Sequence, residues 1–248
     1  MRALLPAPVD DVDLHAYYAA GWLDRGGIRA NFVSSVDGAV STSGTSKTLQ
    51  TESDGVVFAV LRDLADVVLV GAGTAVAECY HPIPFSERRL EIRRSYGLRP
   101  ELPVAVISRS LRLDPDDVFF TDATAAQRPI VLTTEAADAE KRRLLKQVAD
   151  VVDCGDQVID SVLVRQALVE RGLTRILCEG GPTVLNDLIR EGVVDELCVT
   201  LAPTLVGGGP PRMTGDHEWA APAGVTLVGL VEDAGNLFCR YTLTVAGR

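Results

Sequence analysis

One stretch of this sequence predicts a buried strand, a two-glycine turn and the start of a helix: Arg175-Ile176-Leu177-Cys178-Glu179-Gly180-Gly181-Pro182-Thr183-Val184-Leu185. The first four residues form a short apolar run, and apolar residues recur at helical spacing after Pro182, which suits the first helical position. Gly180 and Gly181 carry no Cβ, so the backbone there can approach a ligand closely. A helix that begins directly after such a turn presents free N–H groups and the positive end of its dipole, which favour a phosphate. The stretch therefore indicates a phosphate-bearing cofactor.

Before this stretch, apolar runs alternate with helical patterns through most of the chain. The predicted strands are 28–34, 67–70, 102–107, 129–133, 150–153 and 175–178, and the predicted helices include 52–65, 136–149 and 160–171. Three strands without intervening helices, 196–202, 225–231 and 237–245, follow Gly192. The pattern predicts a three-layer α/β fold with a mostly parallel central sheet and antiparallel C-terminal strands. We expect residues 1–27 to form an N-terminal arm, residues 28–248 a single domain, and 81–100 a long irregular insertion.

Charge and cysteine content restrict the class of protein. The formal net charge is −10, and an acidic chain repels nucleic acid and anionic membranes, so we expect neither as a partner. The longest apolar runs are too short to span a bilayer, and no signal peptide is evident at the N-terminus. The five cysteines are scattered and show no metal-ligand spacing, which favours a cytoplasmic enzyme with reduced thiols and no metal site.

Two more glycine-bearing turns follow predicted strands. They are Ser35-Val36-Asp37-Gly38 and Val70-Gly71-Ala72-Gly73-Thr74. Ligands of open α/β sheets bind beyond the carboxyl ends of the strands, so the three turns are expected to line one cleft. Taken singly, each turn has a simpler interpretation, because a tight strand-to-helix connection needs glycine in any case.

These turns carry a resemblance to a known family. Ser35-Val36-Asp37-Gly38 with Gly44-Thr45-Ser46-Lys47, Leu61-Arg62 with Val70-Gly71-Ala72-Gly73-Thr74, and Leu177-Cys178-Glu179-Gly180-Gly181-Pro182-Thr183 resemble, in order, motifs of the riboflavin-pathway pyrimidine reductases. Val194-Asp195-Glu196-Leu197 with Ala202-Pro203 and Val206-Gly207-Gly208 extends the resemblance, which covers roughly residues 28 to 245. The chain is similar to the C-terminal reductase domain of the bifunctional deaminase-reductase, a domain with a dihydrofolate-reductase-like fold.

The resemblance implies an NADPH-dependent reductase. The partners that it implies are a small heterocyclic substrate and a second copy of the chain in a homodimer. The implied reaction reduces the ring-opened ribose of 5-amino-6-(5-phosphoribosylamino)uracil. The cofactor-binding residues that it implies are Gly71, Gly73, Thr74, Glu78, Ser108, Arg109, Thr133, Thr134, Gly180, Gly181, Pro182 and Thr183. Among them, Ser108 and Arg109 are expected to meet the 2′-phosphate, for which a guanidinium is chemically suited. Asn31, Ser35, Asp37 and Glu179 are the expected substrate-binding residues.

The chain departs from the family pattern at two places. The zinc-deaminase motifs of the bifunctional proteins do not occur, so no deamination is expected. A D-D-P segment that helps bind the substrate in the family is replaced here by Glu78-Cys79-Tyr80. This second departure leaves two alternatives open: a dihydrofolate or pterin-type reductase on the same fold, and an NADP-binding protein without its own chemistry.

Hydride transfer requires a positioned donor and acceptor and a source of protons. We expect Asp37 to be the catalytic group, because a carboxyl at the reacting centre can donate a proton or orient a water. The alternative is that Asp37 only makes the Asp-Gly turn through hydrogen bonds to backbone. Glu179 also has two interpretations: it forms a hydrogen bond to the substrate, or it has a structural role and forms a hydrogen bond to the backbone.

Overall fold

We describe a computed structural model, which covers residues 1–244 of the chain. Its strands are β1 Arg2–Leu5, β2 Gly27–Ser35, β3 Val67–Gly71, β4 Val104–Ile107, β5 Ile130–Thr133, β6 Asp150–Asp153, β7 Arg175–Cys178, β8 Val194–Ala202, β9 Gly224–Asp233 and β10 Asn236–Thr244. Its α-helices are α1 Leu14–Ala19, α2 Trp22–Arg25, α3 Glu52–Asp63, α4 Ala72–Ala77, α5 Glu87–Ser95, α6 Val118–Thr121, α7 Ala139–Val148, α8 Ser161–Val169 and α9 Pro182–Arg190. Of the predicted strand 237–245, Val245 lies outside the described residues.

All these strands join one 10-stranded sheet in the order β1-β9-β10-β8-β2-β7-β3-β4-β5-β6. The seven strands from β8 to β6 run parallel, and β10, β9 and β1 add antiparallel pairs at one end. The predicted fold class, a mostly parallel sheet with antiparallel C-terminal strands, is confirmed. Because the central strands are parallel, the turns that follow β2, β3, β4, β5 and β7 all reach the same edge of the sheet.

Two apolar cores cover the two faces of the sheet, which makes the fold three-layered. Successive residues of β3 alternate between them: Val68 and Val70 pack toward α3 and α7, whereas Val67 and Leu69 pack toward α8 and α9. Alternation of this kind follows from the two-residue period of a strand, and it explains why β3 is apolar throughout. None of the helices within residues 1–244 combines the length and the apolar character needed to cross a membrane.

The N-terminal segment is better integrated than the predicted arm. Within residues 1–27, β1 pairs with β9 at the edge of the sheet, and α1 and α2 follow it. Tyr18 and Trp22 are buried, and the Trp22 indole N–H donates to the Leu64 carbonyl at the end of α3. Residues 1–27 therefore form part of the α3 side of the core.

The segment 81–100 is not wholly irregular, because it contains α5. Arg93, on this helix, is fully buried and donates hydrogen bonds to five carbonyl groups, those of Arg62, Asp63, Ala65, Arg99 and Glu101. Burial lowers the pKa of Arg93 to about 10, and Asp63 and Asp66 oppose the effect. One guanidinium thus caps the carbonyl groups at the end of α3 and ties α5 to it.

Candidate active site

A cavity of about 520 Å³ opens beyond the carboxyl ends of β2, β7 and β3. The last residue of β2 that pairs with β7 is Ala30, opposite Cys178, so β2 continues beyond the end of its neighbour. Asn31 and Val33 lie on this overhang and line the cavity. The cleft therefore exists because one strand of the sheet is longer than the next.

Helix α3 forms the opposite wall. Asp54, Phe58 and Arg62 line the cavity, and their spacing of four residues places them on one stripe of the helix. Val57, Val60 and Leu61, on the other stripe, are buried in the core. Since each residue lengthens an α-helix by about 1.5 Å, the stripe of Asp54, Phe58 and Arg62 is about 12 Å long.

The glycine turns after β3 and β7 lock together at the base of the cavity. The Gly71 N–H donates to the Gly180 carbonyl at 2.7 Å, and the Gly180–Gly181 peptide bond is cis. A Cβ on Gly181 would lie 2.3 Å from Thr74 Oγ1, and one on Gly71 would lie 2.9 Å from a methyl of Val184. Both glycines are thus required by close packing between the turns. Gly73, Thr74, Gly181 and Pro182 line the cavity.

Glu179 makes the strongest ionic contact of the cavity. Both of its oxygens accept hydrogen bonds of 2.7 Å from Arg62, and the Tyr80 hydroxyl donates to Oε2 at 2.5 Å. Burial lowers the pKa of Arg62, but the Glu179 carboxylate outweighs burial and raises it. Burial, followed by the charge of Glu179, raises the pKa of Tyr80 well above its usual value. Of the two roles considered for Glu179, the structure shows the contact to the protein.

Asp37 lies away from the cavity lining. Neither Ser35, the last residue of β2, nor Asp37, on the exposed turn that follows, is part of the lining. Asp37 accepts hydrogen bonds from Ser35 Oγ at 2.5 Å and from the N–H groups of Val206 and Gly207 at 3.2 and 2.7 Å. These bonds, Ser35 first, lower the pKa of Asp37 to about 2. In the structure Asp37 anchors the loop at 206–207, and its role as the catalytic group stays a prediction.

The segment that departs from the family pattern borders the cavity. Glu78, Cys79, Tyr80 and His81 all contribute to the lining. Glu78 Oε1 accepts hydrogen bonds from the Ser46 N–H at 2.8 Å and from the Ser46 hydroxyl at 3.1 Å. Glu78 therefore holds the loop at 41–51, on which Lys47 lines the cavity with an exposed ammonium group.

The remaining predicted cofactor residues form a second cluster along the same edge. Ser108 N–H donates to the Leu132 carbonyl, and the Thr133 hydroxyl donates to the Ser108 carbonyl at 2.8 Å. Thr133 and Thr134 are buried, whereas Arg109 is exposed and has no ion pair within residues 1–244. Since Ile107 pairs with Gly71 on one side and Leu132 on the other, this cluster continues the row of turns away from the cavity.

The structure brings together seven of the predicted site residues on the cavity lining: Asn31, Gly73, Thr74, Glu78, Glu179, Gly181 and Pro182. Gly71 and Gly180 lie directly behind them, and Thr183 is exposed in the first turn of α9. Sequence reasoning missed Asp54, Phe58 and Tyr80. The four-residue spacing of Asp54, Phe58 and Arg62 opposite the apolar stripe of α3 was a signal that could have identified the first two.

The chain is similar in sequence to a known family and to curated reductases. The family described as the RibD C-terminal domain matches residues 27–236. The 2,5-diamino-6-ribosylamino-4(3H)-pyrimidinone 5′-phosphate reductase of Methanothermobacter thermautotrophicus is 28% identical over 188 residues, which are 76% of this chain and 82% of that protein. The protein of the same name from Archaeoglobus fulgidus is 27% identical over 72% of this chain and 80% of its own length.

Two solved structures have the same fold as this chain. A pyrimidine reductase-like protein from Corynebacterium diphtheriae superimposes with a TM-score of 0.83 at 24% identity, covering 95% of this chain and 100% of that one. RibD from Acinetobacter baumannii superimposes with a TM-score of 0.70 at 19% identity, covering 89% of this chain and 59% of that chain.

Proposed function

The chain belongs to the RibD C-terminal domain family, and from this premise we propose that it is an NADPH-dependent reductase of riboflavin biosynthesis. Its substrate is a 6-(5-phosphoribosylamino)pyrimidine, whose ribosyl group is reduced to the ribityl chain. The observation that carries the proposal is the cavity at the carboxyl ends of β2, β7 and β3, where the two glycine turns of the family meet. The curated relatives named above are reductases of such a pyrimidine.

The residues at the sheet edge fit a dinucleotide phosphate. Gly73 and Gly181 lie on the lining and carry no Cβ, so a ligand there would meet backbone. Helix α9 begins at Pro182 on the cavity lining, and the N–H groups of its first turn favour a pyrophosphate. Arg109, exposed at the end of β4, would hold the 2′-phosphate that distinguishes NADPH from NADH. When bound, NADPH supplies the hydride.

The chain's own residues would position the substrate. Asn31 and Asp54 offer hydrogen-bonding groups on facing walls of the cavity, and Phe58 offers an aromatic surface. Lys47 supplies a positive charge on the lining, which suits a phosphorylated substrate, whereas the Arg62 guanidinium is already paired with Glu179. A cavity of about 520 Å³ is within the usual range for small-molecule sites.

The test is a substrate comparison under steady-state conditions. Purified protein is mixed with NADPH and, separately, with 5-amino-6-(5-phosphoribosylamino)uracil, its 2,5-diamino-pyrimidinone counterpart and dihydrofolate, and NADPH oxidation is followed by absorbance. We expect turnover of a phosphoribosylaminopyrimidine and none of dihydrofolate. Turnover of dihydrofolate alone would favour the pterin-type alternative. Binding of NADPH without oxidation by any of the three would favour a binding protein.

We also propose that the chain forms a homodimer in the cytoplasm. The first half of β9 is exposed, with Val225, Leu227 and Val228 accessible, and β1 covers its edge only from Leu230 to Glu232. An open, apolar strand edge is suited to pairing with a second copy. All five cysteines are free, as expected in a reducing compartment. Light scattering after gel filtration tests the dimer, and Leu227→Lys should shift it toward monomer.

A further inference from the structure

The proposed reaction needs an acid, because opening the ribose ring consumes one proton. The ribose ring opens when the C1′–O4′ bond breaks, and its electron pair goes to O4′, which must take up a proton. The lone pair of the exocyclic nitrogen forms a C=N bond to C1′ at the same time, so the step is balanced by one proton from an acid. The acid must therefore be a protonated group on the cavity lining.

Two of the three carboxyl groups that line the cavity are already engaged as acceptors. Glu179 accepts from Arg62 on both oxygens and from Tyr80. Glu78 accepts from the backbone and the hydroxyl of Ser46 on one oxygen. Asp54 is the third: its carboxyl is hydrogen-bonded to the Thr200 side chain on β8, and within residues 1–244 it takes part in no ion pair.

Asp54 combines burial with access to the cavity. The residue is 6% exposed, yet it lies on the cavity lining in the first turn of α3, and Asn31 and Val33 of β2 line the same cavity. Its backbone N–H donates to Thr51 Oγ1 at 3.2 Å, which fixes this turn of the helix. Burial raises the pKa of Asp54, and the Thr200 side chain on β8 lowers it to a lesser extent.

The other ionisable groups of the lining are less suited to deliver this proton. They are Lys47, Arg62, Cys79, Tyr80 and His81. The Arg62 and Tyr80 protons are held by Glu179, and Lys47 is an exposed ammonium on the opposite loop. Cys79 and His81 are both exposed, and His81 Nδ1 lies 3.4 Å from the Cys79 carbonyl.

We propose that Asp54 is the general acid that protonates O4′ and opens the ribose ring of the substrate. This inference rests on the proposed function. It places the acid on α3 rather than on the turn that holds Asp37, about 12 Å along the helix from the Arg62–Glu179 pair.

The experiment compares wild type, Asp54→Asn and Asp54→Glu across pH, with the phosphoribosylaminopyrimidine as substrate. For wild type, kcat/KM should fall as pH rises through the pKa of Asp54, because the deprotonated carboxylate cannot donate. Asp54→Asn should lose about 10²- to 10⁴-fold in kcat, the usual range for a general acid, and should lose this pH dependence. Asp54→Glu should keep part of the rate and the pH dependence.

A second readout does not depend on turnover. In protein labelled with ¹³C at the aspartate carboxyl groups, one NMR resonance should disappear in Asp54→Asn and titrate in wild type at the pH where kcat/KM falls. NADPH affinity, measured by fluorescence, should be the same in all three proteins and reports that the variants are folded. Wild-type kcat in Asp54→Asn, an increase in KM alone, or an unchanged pH profile would each overturn the assignment. If wild type itself reduces no phosphoribosylaminopyrimidine, the proposed function fails instead.

Discussion

Two arginine–glutamate clusters lie on the same side of the sheet, and they differ in what surrounds them. Glu196 on β8 is 2% exposed and pairs with Arg29 at 2.7 Å and Arg240 at 3.0 Å. The Arg29 guanidinium stacks 4.1 Å from the centre of the Trp22 ring and is 1% exposed. Glu179 is also 2% exposed, but its partner Arg62 keeps 19% of its surface accessible and lines the cavity.

Because both carboxylates are equally buried, burial of the carboxylate alone does not identify an ion pair that can contact a ligand. Around Glu196, every charged group is enclosed by protein, so the cluster contributes to the junction of β2, β8 and β10 with the N-terminal segment. Around Glu179, one side of the arginine faces the space that a ligand would fill. We therefore expect equivalent substitutions to change stability at one cluster and ligand binding at the other.

Glu196→Gln should have the largest effect on stability. Removing the charge leaves Arg29 and Arg240 buried beside each other without an anion, which costs about 3–5 kcal/mol in comparable buried pairs. Urea unfolding followed by circular dichroism gives the free energy of unfolding. Glu140→Gln is the matched control, because Glu140 pairs with Arg143 on the exposed face of α7, and it should leave the midpoint unchanged. A loss at Glu196 as small as that of the control would contradict the comparison.

The Glu196 cluster also predicts that the folded protein loses stability at acidic pH. Burial raises the pKa of Glu196, but Arg29 and Arg240 outweigh it, so that the folded-state pKa lies below the usual 4.5. A lowered pKa contributes stability that is fully present above the unfolded-state value and is lost as pH falls through the folded-state value. Wild type should thus lose stability below about pH 4.5 more steeply than Glu196→Gln, for which this group no longer titrates.

Glu179→Gln should cost less stability and affect the cavity more. Water can reach the accessible side of Arg62, so we expect a loss of about 2 kcal/mol in unfolding free energy, within the range for hydrogen bonds to charged groups. The freed Arg62 guanidinium and Tyr80 hydroxyl would change the charge of the lining. The KM for the pyrimidine should therefore rise while Glu196→Gln, where folded, keeps its KM. Equal KM values in the two variants would remove the distinction between the clusters.

Gly181→Ala tests the packing of the glycine turns beside Glu179. The added methyl would lie 2.3 Å from Thr74 Oγ1, and overpacking of this kind costs about 1–2 kcal/mol when neighbours can shift. We expect weaker NADPH binding by fluorescence titration. Gly55→Ala on α3 is the control, because a Cβ there meets no atom within 4 Å and Gly55 does not line the cavity. Thr74→Ala combined with Gly181→Ala should recover part of the stability, and failure to do so would argue against this contact.

Periodicity was sufficient for the central strands but not for elements whose stability depends on distant partners. The predicted strand 150–153 coincides with β6, and the predicted helix 52–65 contains α3. β1 went unpredicted because four residues before a proline carry no pattern, and its strand geometry depends on pairing with β9. α5 went unpredicted because it is polar on most of its surface and is anchored by the buried guanidinium of Arg93 rather than by an apolar stripe.

The site was predictable where a motif coincides with the end of a strand, as at Gly181 and Thr74. It was not predictable where the position of a residue along a strand decides whether its side chain reaches the cavity. Asn31 and Ser35 both lie on β2 and are equally plausible in sequence, but in the structure Asn31 lines the cavity and Ser35 does not. Asp37 was chosen for its motif, and its hydrogen bonds to the loop at 206–207 emerged only from the fold.

Unlike Arg29, Arg62 and Arg240, Arg109 has no carboxylate partner within residues 1–244. We expect its substitution to have the smallest effect of those considered. An exposed guanidinium with no ion pair contributes little to folding, so Arg109→Ala should leave the unfolding midpoint unchanged. If it holds the 2′-phosphate, NADPH affinity should fall about tenfold, or about 1.4 kcal/mol, while NADH affinity stays constant. Arg112→Ala, an equally exposed arginine three residues further along the chain, is the control and should change neither. An unchanged ratio of NADPH to NADH affinity in Arg109→Ala would mean that another residue holds the 2′-phosphate.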